Sequence, residues 1–477
     1  MTKIVSLLCT ALILNASNIS NANSITLENA VMMLKTQNLE IKTASLDVKS
    51  AYADVDKIQG MNWGKLDFTQ NFARSNDAGN VFGFKLTSRE ADFGDFGFSD
   101  FLGGVGQVMN ASGGDFATFS AMMNNPTTQE QMLATQPNDL NYPGSRNFFQ
   151  SKLTYELPIF TGFKISSYEN IMKSMTKIKS LQKDQVIHEK IYELRKSFYD
   201  MALLRESTKN LKTILTNIET LENITKSMID VGYAKKVDLL EVQAKKGNVE
   251  RLIFQMKSNQ KLLLHYISFL LNQKVDDIST PKEHIQMPNV TDDNILTNNL
   301  DIQQATHGLE VRKGMLNVSK SAMYPMAGAF GELATADNNF LNDADDHKSY
   351  TVGARLTWNL FNGGSDSADI QKAKLQYLKM QTQVQLAKKG IALKIHKIRT
   401  EIETADNEVA SLEKELLLAD AIYKNYEGRY KEKLSSMSDV IIKQSEQIQK
   451  ILELQMANNK RNKKIFALEK LANGEYE

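Results

Sequence analysis

The histidines and one glycine-rich stretch are the residues of this sequence best suited to chemistry, and neither set has the required spacing. The six histidines are scattered between positions 188 and 396. The stretch HEKIY, which begins at His188, lacks the second histidine of a zinc-protease motif. The stretch GGVGQV, Gly103 to Val108, lacks the third glycine and the strand-before-helix setting of a dinucleotide-binding loop. We therefore predict no catalytic residue, no metal ligand and no cofactor, and hence no enzyme.

The first 22 residues have the pattern of a secretory signal. Lys3 precedes an apolar run from Ile4 to Leu14, and small and polar residues then lead to a cleavage site after Ala22. The only cysteine, Cys9, lies inside this segment, so the mature chain would have no thiol and no disulfide. The sequence thus predicts an exported protein that is held together by packing.

Charge argues against nucleic-acid binding, and hydropathy argues against transmembrane helices. Lys plus Arg number 57 and Asp plus Glu number 56, and no basic run is interleaved with aromatic residues. Nucleic acid is therefore not an expected partner. No stretch after the signal approaches the roughly 20 apolar residues of a transmembrane helix. If the protein crosses a membrane, it must do so with strands.

Two stretches that lie 201 residues apart mark a change from strand to helix: ELPIFTGF, Glu156 to Phe163, and TWNLFNGG, Thr357 to Gly364. In each, an alternating apolar run ends at a phenylalanine and a glycine, after which the apolar residues follow helical spacing. Glycine tolerates backbone angles that other residues avoid. A proline lacks the backbone N–H that a central strand needs, so it fits the end of a strand. The predicted junction residues are Pro158, Phe160, Gly162, Phe361 and Gly363.

The strands that lead into these junctions have one apolar and one polar face. Residues 149–159 place apolar side chains at odd positions, and residues 350–360 place them at even positions. Strands of about 10 residues cross a bilayer when they are tilted. The apolar faces should then contact lipid. The opposite residues should line water, and they are Lys152, Thr154, Arg355 and Thr357.

The helices that follow are very long. Phe163 to Asp230 contains no glycine or proline, and its apolar residues recur every three or four positions. A helix of about 67 residues is about 100 Å long. A second such helix is predicted from Ser365 to about Lys431, and shorter helices return to about Leu271 and Leu471. This length and this spacing are typical of coiled coils.

The order helix, strand, strand, long helix and returning helix occurs twice. Asn38 to Ile41 matches Asn299 to Ile302 at an offset of 261, whereas the residues after the strands match at an offset of 201. The difference is extra chain between the two strands of the first half. We predict structural repeats at 23–272 and 299–477, a linker at 273–298, and a long surface loop at 74–147.

Four strands cannot close a barrel, and an open sheet edge in lipid would leave backbone groups unpaired. Either the chain forms an oligomer or its strands lie outside a membrane. Oligomers are usually cyclic, and three chains would supply 12 strands.

The order and duplication of these motifs resemble the TolC-type outer-membrane efflux proteins, also called outer membrane factors, over essentially the whole mature chain. Four further stretches carry the likeness: ITLENAV at Ile25, FYDMALL at Phe198, VGYAKKVDLLEVQ at Val231 and RYKEKLSSMSDVI at Arg429. The resemblance implies a mainly α fold with membrane β structure. A homotrimeric 12-stranded β-barrel in outer-membrane lipid would continue as a 12-helix coiled-coil tunnel in the periplasm.

The resemblance also implies partners, which are a periplasmic adaptor, or membrane fusion protein, and an inner-membrane pump. We expect the two helical turns to contact the adaptor, although Gly232 could merely end one helix and Asp238 cap the next. The predicted contact residues are Val231, Gly232, Tyr233, Val237, Asp238, Leu239, Leu434, Ser436, Met437, Asp439 and Val440.

A gate is a further prediction. Asp230, Asp238 or Asp439 would form rings in a threefold assembly, and Arg399 could pair with such an acid across helices. The alternative is that these acids are solvated helix ends. The resulting hypothesis for function is a passive exit duct of a tripartite efflux or type I secretion system. The alternative is a periplasmic coiled-coil scaffold or adhesin stalk without transport.

Overall fold

The computed structural model describes residues 24–232, 235–281, 285–340, 342, 345–432 and 434–474, except the side chains of Tyr430, Lys431 and Met437. The predicted signal and Tyr233 of the predicted contact set lie outside these residues. None of the described helices combines the length and the apolar composition needed to cross a bilayer. The described helices of four residues or more are α1 Leu27–Gln37, α2 Leu39–Gly60, α3 Ala78–Thr87, α4 Phe98–Ala111, α5 Phe116–Met123, α6 Pro126–Leu133, α7 Asn138–Asn141, α8 Lys164–Asp230, α9 Lys236–Leu271, α10 Asp292–Asn298, α11 Leu300–Ser321, α12 Ser365–Lys431 and α13 Met437–Leu471.

Four strands form one antiparallel sheet in the order β1 Lys65–Ser75, β2 Arg146–Phe160, β3 Met326–Asp337 and β4 Lys348–Thr357. The chain divides into two compact units, to each of which both sequence halves contribute. The sheet unit comprises Tyr52–Lys173 and Glu310–Tyr377. The helical unit comprises the described residues up to Ala51, together with Ser174–Leu309 and the described residues from Leu378 onward.

The strand register gives the sheet one apolar and one polar face. Phe68, Leu153, Leu333 and Tyr350 pair in one row across all four strands, and they are 68%, 37%, 60% and 78% exposed. Side chains alternate between the two faces along a strand, so the neighbouring row lies on the opposite face. That row is Thr69, Lys152, Ala334 and Ser349. The predicted alternation is present in the sheet, and the apolar face is open to its surroundings.

The last strand is shorter than its alternation predicts. We predicted a strand to Leu360, but β4 ends at Thr357, which pairs with Met326 at the first position of β3. Pro325 precedes that position and has no backbone N–H to continue the ladder. Trp358 instead donates its indole N–H to the carbonyl of Met323 at 3.2 Å.

The prediction of a surface loop at 74–147 is wrong, because this segment contains the five helices α3 to α7. The Asp and Asn residues that suggested a loop serve as helix N-caps. Asp77 accepts from the amide of Asn80 at 3.0 Å, and Asp115 accepts from the amide of Thr118 at 2.9 Å. The composition therefore indicated where regular structure is interrupted, but not that short helices begin at these residues.

In the helical unit, equivalent asparagines fix the start of a helix in each half. Asn38 donates its side-chain N–H to the carbonyl of Leu270 at 2.7 Å and accepts from the amide of Ile41 at 3.0 Å. Asn299 likewise donates to the carbonyl of Leu471 at 3.1 Å. Both asparagines are buried, so each bond satisfies a carbonyl at the end of a returning helix. The sequence offsets between the halves thus recur as equivalent contacts.

A buried ion pair joins α8 to α13. Arg195 forms an ion pair with Glu469, and its guanidinium carbon lies 4.2 Å from the centre of the Phe466 ring. Burial raises the pKa of the Glu469 carboxyl to about 7, although Arg195 favours the ionised form. The folded protein therefore binds a proton here more tightly than the unfolded chain does.

We predict that Glu469→Gln flattens the pH dependence of stability. In the wild type, the contribution of this group is fully present below its ordinary pKa of 4.5 and is lost as the pH rises through about 7. Glutamine cannot ionise, so the fall in unfolding free energy as the pH rises between those values should become shallower. Denaturant unfolding over this pH range measures it.

Glu401→Gln is the matched control, because the hydrogen bond from Lys464 of α13 holds the pKa of Glu401 below its ordinary value. Glu401 stabilises the fold above its ordinary pKa, and this contribution is lost as the pH falls. Its substitution should therefore leave the slope between pH 4.5 and 7 unchanged and alter the pH dependence only below pH 4.5. An unchanged slope in the Glu469 variant would show that this carboxyl stays ionised.

Candidate functional site

The first helical turn connects α8 to α9 through a glycine and a capping aspartate. Gly232 has a φ of +82° and donates its amide to the carbonyl of Ile229 at 3.0 Å. Asp238 accepts the amide of Lys235 at 2.8 Å. Gly232 therefore ends one helix and Asp238 caps the next, and both residues remain exposed.

The second turn connects α12 to α13 and is closed by a reciprocal cap. The Ser436 hydroxyl accepts from the amide of Asp439 at 3.1 Å, and the Asp439 carboxylate accepts the amide of Ser436 at 3.1 Å. Hydrogen bonds from the Ser436 hydroxyl and amide hold the pKa of Asp439 below its ordinary value. Asp238 and Asp439, which correspond in the two halves, thus share a structural role.

Apolar side chains at the turns are exposed. Val231, Val237 and Leu434 are 65%, 69% and 63% exposed, whereas Leu239 is half-buried. Val440 differs because it is only 5% exposed and packs within the chain. Val440 is buried because it lies on the side of α13 that packs against the rest of the chain, next to Asp439 in sequence. The contact surface that we propose below therefore omits Val440.

Arg399, which we predicted to pair with an acid at a turn, has another partner. Its guanidinium donates to Asp292 at 2.7 Å and to the carbonyl of Val290 at 2.6 Å. The arginine lies about 48 Å along α12 from Lys431, too far to reach Asp439 or its equivalents. The structure thus does not bring it together with the other predicted gate residues. The sequence showed the charge of Arg399, but not that the start of α10 and the residues before it lie beside α12.

Sequence reasoning missed a charge cluster near the first turn. Glu222 of α8 binds Lys226 at 2.7 Å, Lys246 of α9 at 3.3 Å and the side-chain N–H of Gln243 at 3.5 Å. These hydrogen bonds lower the pKa of the Glu222 carboxyl to about 2. The Glu222–Lys226 spacing was visible in the sequence, whereas the partners from α9 depend on how the two helices pack.

The junction glycines both adopt the conformation that their prediction requires. Gly162 has a φ of +60° and Gly363 a φ of +59°. A Cβ on Gly162 would lie 2.7 Å from the carbonyl oxygen of Ser321, whereas a Cβ on Gly363 would have no neighbour within 4 Å. The two junctions therefore share a backbone conformation but differ in crowding.

Aromatic rings pack around the first junction. Phe163 also has a positive φ, of 65°, and its ring centre lies 5.3 Å from that of Phe160 and 5.6 Å from that of Tyr324. The register of β2 against β3 shifts between Pro158 and Phe160. Phe361, the counterpart of Phe160, is exposed.

A last cluster lies at the ends of the strands. Ligand atoms of Glu90, Asp337 and His347 lie within 4.8 Å of one another, which could hold a cation. Arg146 forms an ion pair with Glu90, so a permanent positive charge already balances this carboxylate. We therefore interpret the cluster as a charge network.

Comparison with known proteins identifies the class of fold. Residues 293–474 match the family model described as outer membrane efflux protein. Three solved structures align over 94% of this chain. They are CusC, whose structures concern folding and transmembrane channel formation (TM-score 0.72, 11% identity, 92% of its chain), the outer membrane protein VceC from Vibrio cholerae (0.71, 12%, 97%) and the Campylobacter jejuni CmeC outer membrane channel (0.69, 15%, 86%). Comparison with curated proteins finds no match.

These matches confirm two predictions. The resemblance to outer-membrane efflux proteins is confirmed by the family model, whose description agrees with the predicted outer-membrane location. The fold class, long helices with a β domain, is confirmed by the solved structures. The matched family is one of efflux proteins and not a class of enzymes.

The two junctions provide a matched pair of variants. Gly363→Ala should lower the free energy of unfolding by about 1 kcal/mol, the cost of a left-handed backbone for alanine. Gly162→Ala should lower it by about 2 to 4 kcal/mol, because its methyl group also meets a backbone oxygen. Guanidinium unfolding of detergent-solubilised protein measures both. Equal losses would contradict the difference in crowding.

Proposed function

We propose that this chain, which has the fold of bacterial outer-membrane channels and a match to the outer membrane efflux protein family at residues 293–474, is a passive exit duct. It would serve a tripartite efflux or type I secretion system. Substrate captured by an energised inner-membrane pump would pass through the duct, and this chain would perform no chemistry on it. The observation that carries the proposal is the open apolar face of the sheet.

The sheet supports a membrane barrel made by several chains. Its apolar row from Phe68 to Tyr350 is exposed across all four strands, a surface that lipid would cover. β1 and β4 each pair on one side only among the described strands. Three copies joined edge to edge would give 12 strands and leave no free edge. We therefore propose a homotrimer.

The long helices support a tunnel in the same assembly. Each half of the chain contributes one long and one returning helix, α8 with α9 and α12 with α13. Threefold repetition would give 12 helices. We propose that the repeats at 23–272 and 299–477, joined by the linker at 273–298, each supply one such pair and its two strands.

The turns are the surface that we assign to the periplasmic adaptor. Val231, Val237 and Leu434 leave apolar area uncovered beside the capping residues. The caps fix the described helix starts at Lys235 and Ser436, so a partner would meet preformed helix ends there. Asp230, Asp238 and Asp439 are exposed there and would form rings in a trimer, which we propose as the gate.

The rival hypothesis is a periplasmic scaffold or an adhesin stalk without transport. Such a protein would also use long helices, but it would have to cover the apolar sheet face in water. Nothing in the described part of this chain covers the row from Phe68 to Tyr350. The exposed face therefore favours the duct.

Trimeric mass and ion conductance test the duct. We expect detergent-solubilised protein to be trimeric and to conduct ions in a planar bilayer. Asp439→Asn, whose amide oxygen can still accept the Ser436 hydrogen bonds, should reduce the preference for cations by removing a ring of charge. Monomeric, water-soluble and non-conducting protein would exclude the duct. Unchanged selectivity would exclude Asp439 from the gate.

Docking is tested by Gly232→Arg, which places a long cation on the proposed contact surface. We expect export to fall while the yield of trimer stays the same. Gly232→Ala is the matched control, because it places a side chain at the same φ of +82° without adding a cation. Export measured in cells carrying the cognate pump should be normal in this control. Normal export in both variants would count against the turn as the contact.

A further inference from the structure

The helical segment between β1 and β2, residues 76–145, packs on one face of the sheet. Phe84 of α3 stacks on Phe148 of β2, with ring centres 4.3 Å apart and planes inclined by 10°. Val81 of α3 and Ala336 of β3 are each only 3% exposed. We call residues 76–145 the insertion.

That face is the polar face of the sheet. Side chains two residues apart along a strand share a face, so Phe148 lies on the same side as Gln150 and Lys152. Lys152 pairs with Glu332 of β3 at 2.5 Å on this side. Phe149 belongs to the opposite face, where its ring centre lies 5.4 Å from that of Phe72. α3 therefore covers the polar side of the strand ends and leaves the apolar side free.

A charge network fastens the insertion there. Glu90, three residues after α3, forms an ion pair with Arg146, the first residue of β2. Asp337 at the end of β3 and His347 before β4 border the same network, and their nearest side-chain atoms are 3.7 Å apart. All four residues are buried or half-buried. Partly buried, paired charges fix position more than exposed ones do.

The other helices of the insertion stay close to α3. The rings of Phe82 and Phe96 are 5.2 Å apart at 88°, and Lys85 of α3 pairs with Asp95. Asp100 of α4 accepts the amide of Asn138 of α7 at 2.9 Å. These contacts connect α3 to the residues before α4, and α4 to α7.

We propose that the insertion folds over the outer mouth of the channel and narrows it. This inference rests on the proposed function, in which the polar face of the sheet lines the pore. The strand ends that carry the insertion are those remote from the strand-to-helix junctions, since β1 ends and β2 begins there. In a trimer, three insertions would surround the axis at the exit. The channel then has a constriction at its outer mouth that is separate from the helical turns.

Removing the insertion tests this directly. Ser75 and Arg146 are paired across β1 and β2, so residues 76–145 can be replaced by Asn-Gly, a two-residue hairpin turn that preserves the strand register. We expect the single-channel conductance of the trimer to rise by about twofold or more, because the narrow exit is lost. Unchanged conductance in an intact trimer would contradict the proposed constriction by the insertion. Wild-type protein that does not conduct would instead overturn the proposed function.

A charge exchange tests the same point without a deletion. Glu90→Arg and Arg146→Glu should each raise conductance by releasing the insertion, and the double variant should restore the wild-type value. Arg89→Glu is the control, because Arg89 is exposed and adjacent to Glu90. Its conductance should equal that of the wild type. If the deletion variant fails to assemble, unchanged conductance in Glu90→Arg contradicts the proposed constriction by the insertion.

Discussion

Backbone hydrogen bonding is the constraint on which the rest of this structure depends. Within the described strands, β1 and β4 each have one side without a partner, and the sheet between them has an open apolar face. In lipid, an unpaired backbone group costs several kcal/mol, so such a sheet is stable there only when its edges meet other strands. In the proposed trimer these strand edges would pair with neighbouring chains, so assembly and membrane insertion would depend on each other.

The helical unit meets the same requirement by different means. Each returning helix ends at a carbonyl that a buried asparagine satisfies, Asn38 in the first half and Asn299 in the second. Each turn begins its second helix with an aspartate cap. Polar groups at helix ends are thus satisfied within the chain, and the exposed groups that remain at the turns are apolar or charged side chains.

Much of the fold could be predicted because its signals are local. The apolar spacing of Ser365 to Lys431 gives α12, and the glycines at positions 162 and 363 give the junctions. The predictions that were wrong or incomplete concern partners distant in sequence. The partner of Arg399 is Asp292, the first residue of α10, and β4 stops at Thr357 because β3 begins at the residue that pairs with it. The helices of the insertion were missed because the same residue types favour loops and helix caps.

The candidate site shows the same limit. Sequence placed the turns correctly and identified Asp238 and Asp439 as equivalent, since helix ends leave a local pattern. It could not distinguish the exposed Val237 from the buried Val440, because that depends on which side of a helix packs against its neighbour. The insertion presents the same difficulty, since only strand pairing shows that Phe84 covers the polar face.

The two junctions have a mechanical consequence. Gly162 is held between Ser321 and Tyr324 with aromatic rings beside it, whereas Gly363 has open space around its Cβ position. Within one chain, a bend at the first junction can change only if its neighbours move, whereas the second junction meets no such neighbours at its glycine. In a ring of three chains, stiff and pliant hinges would then alternate around the circumference. Dilation of such a wall would begin at every second hinge.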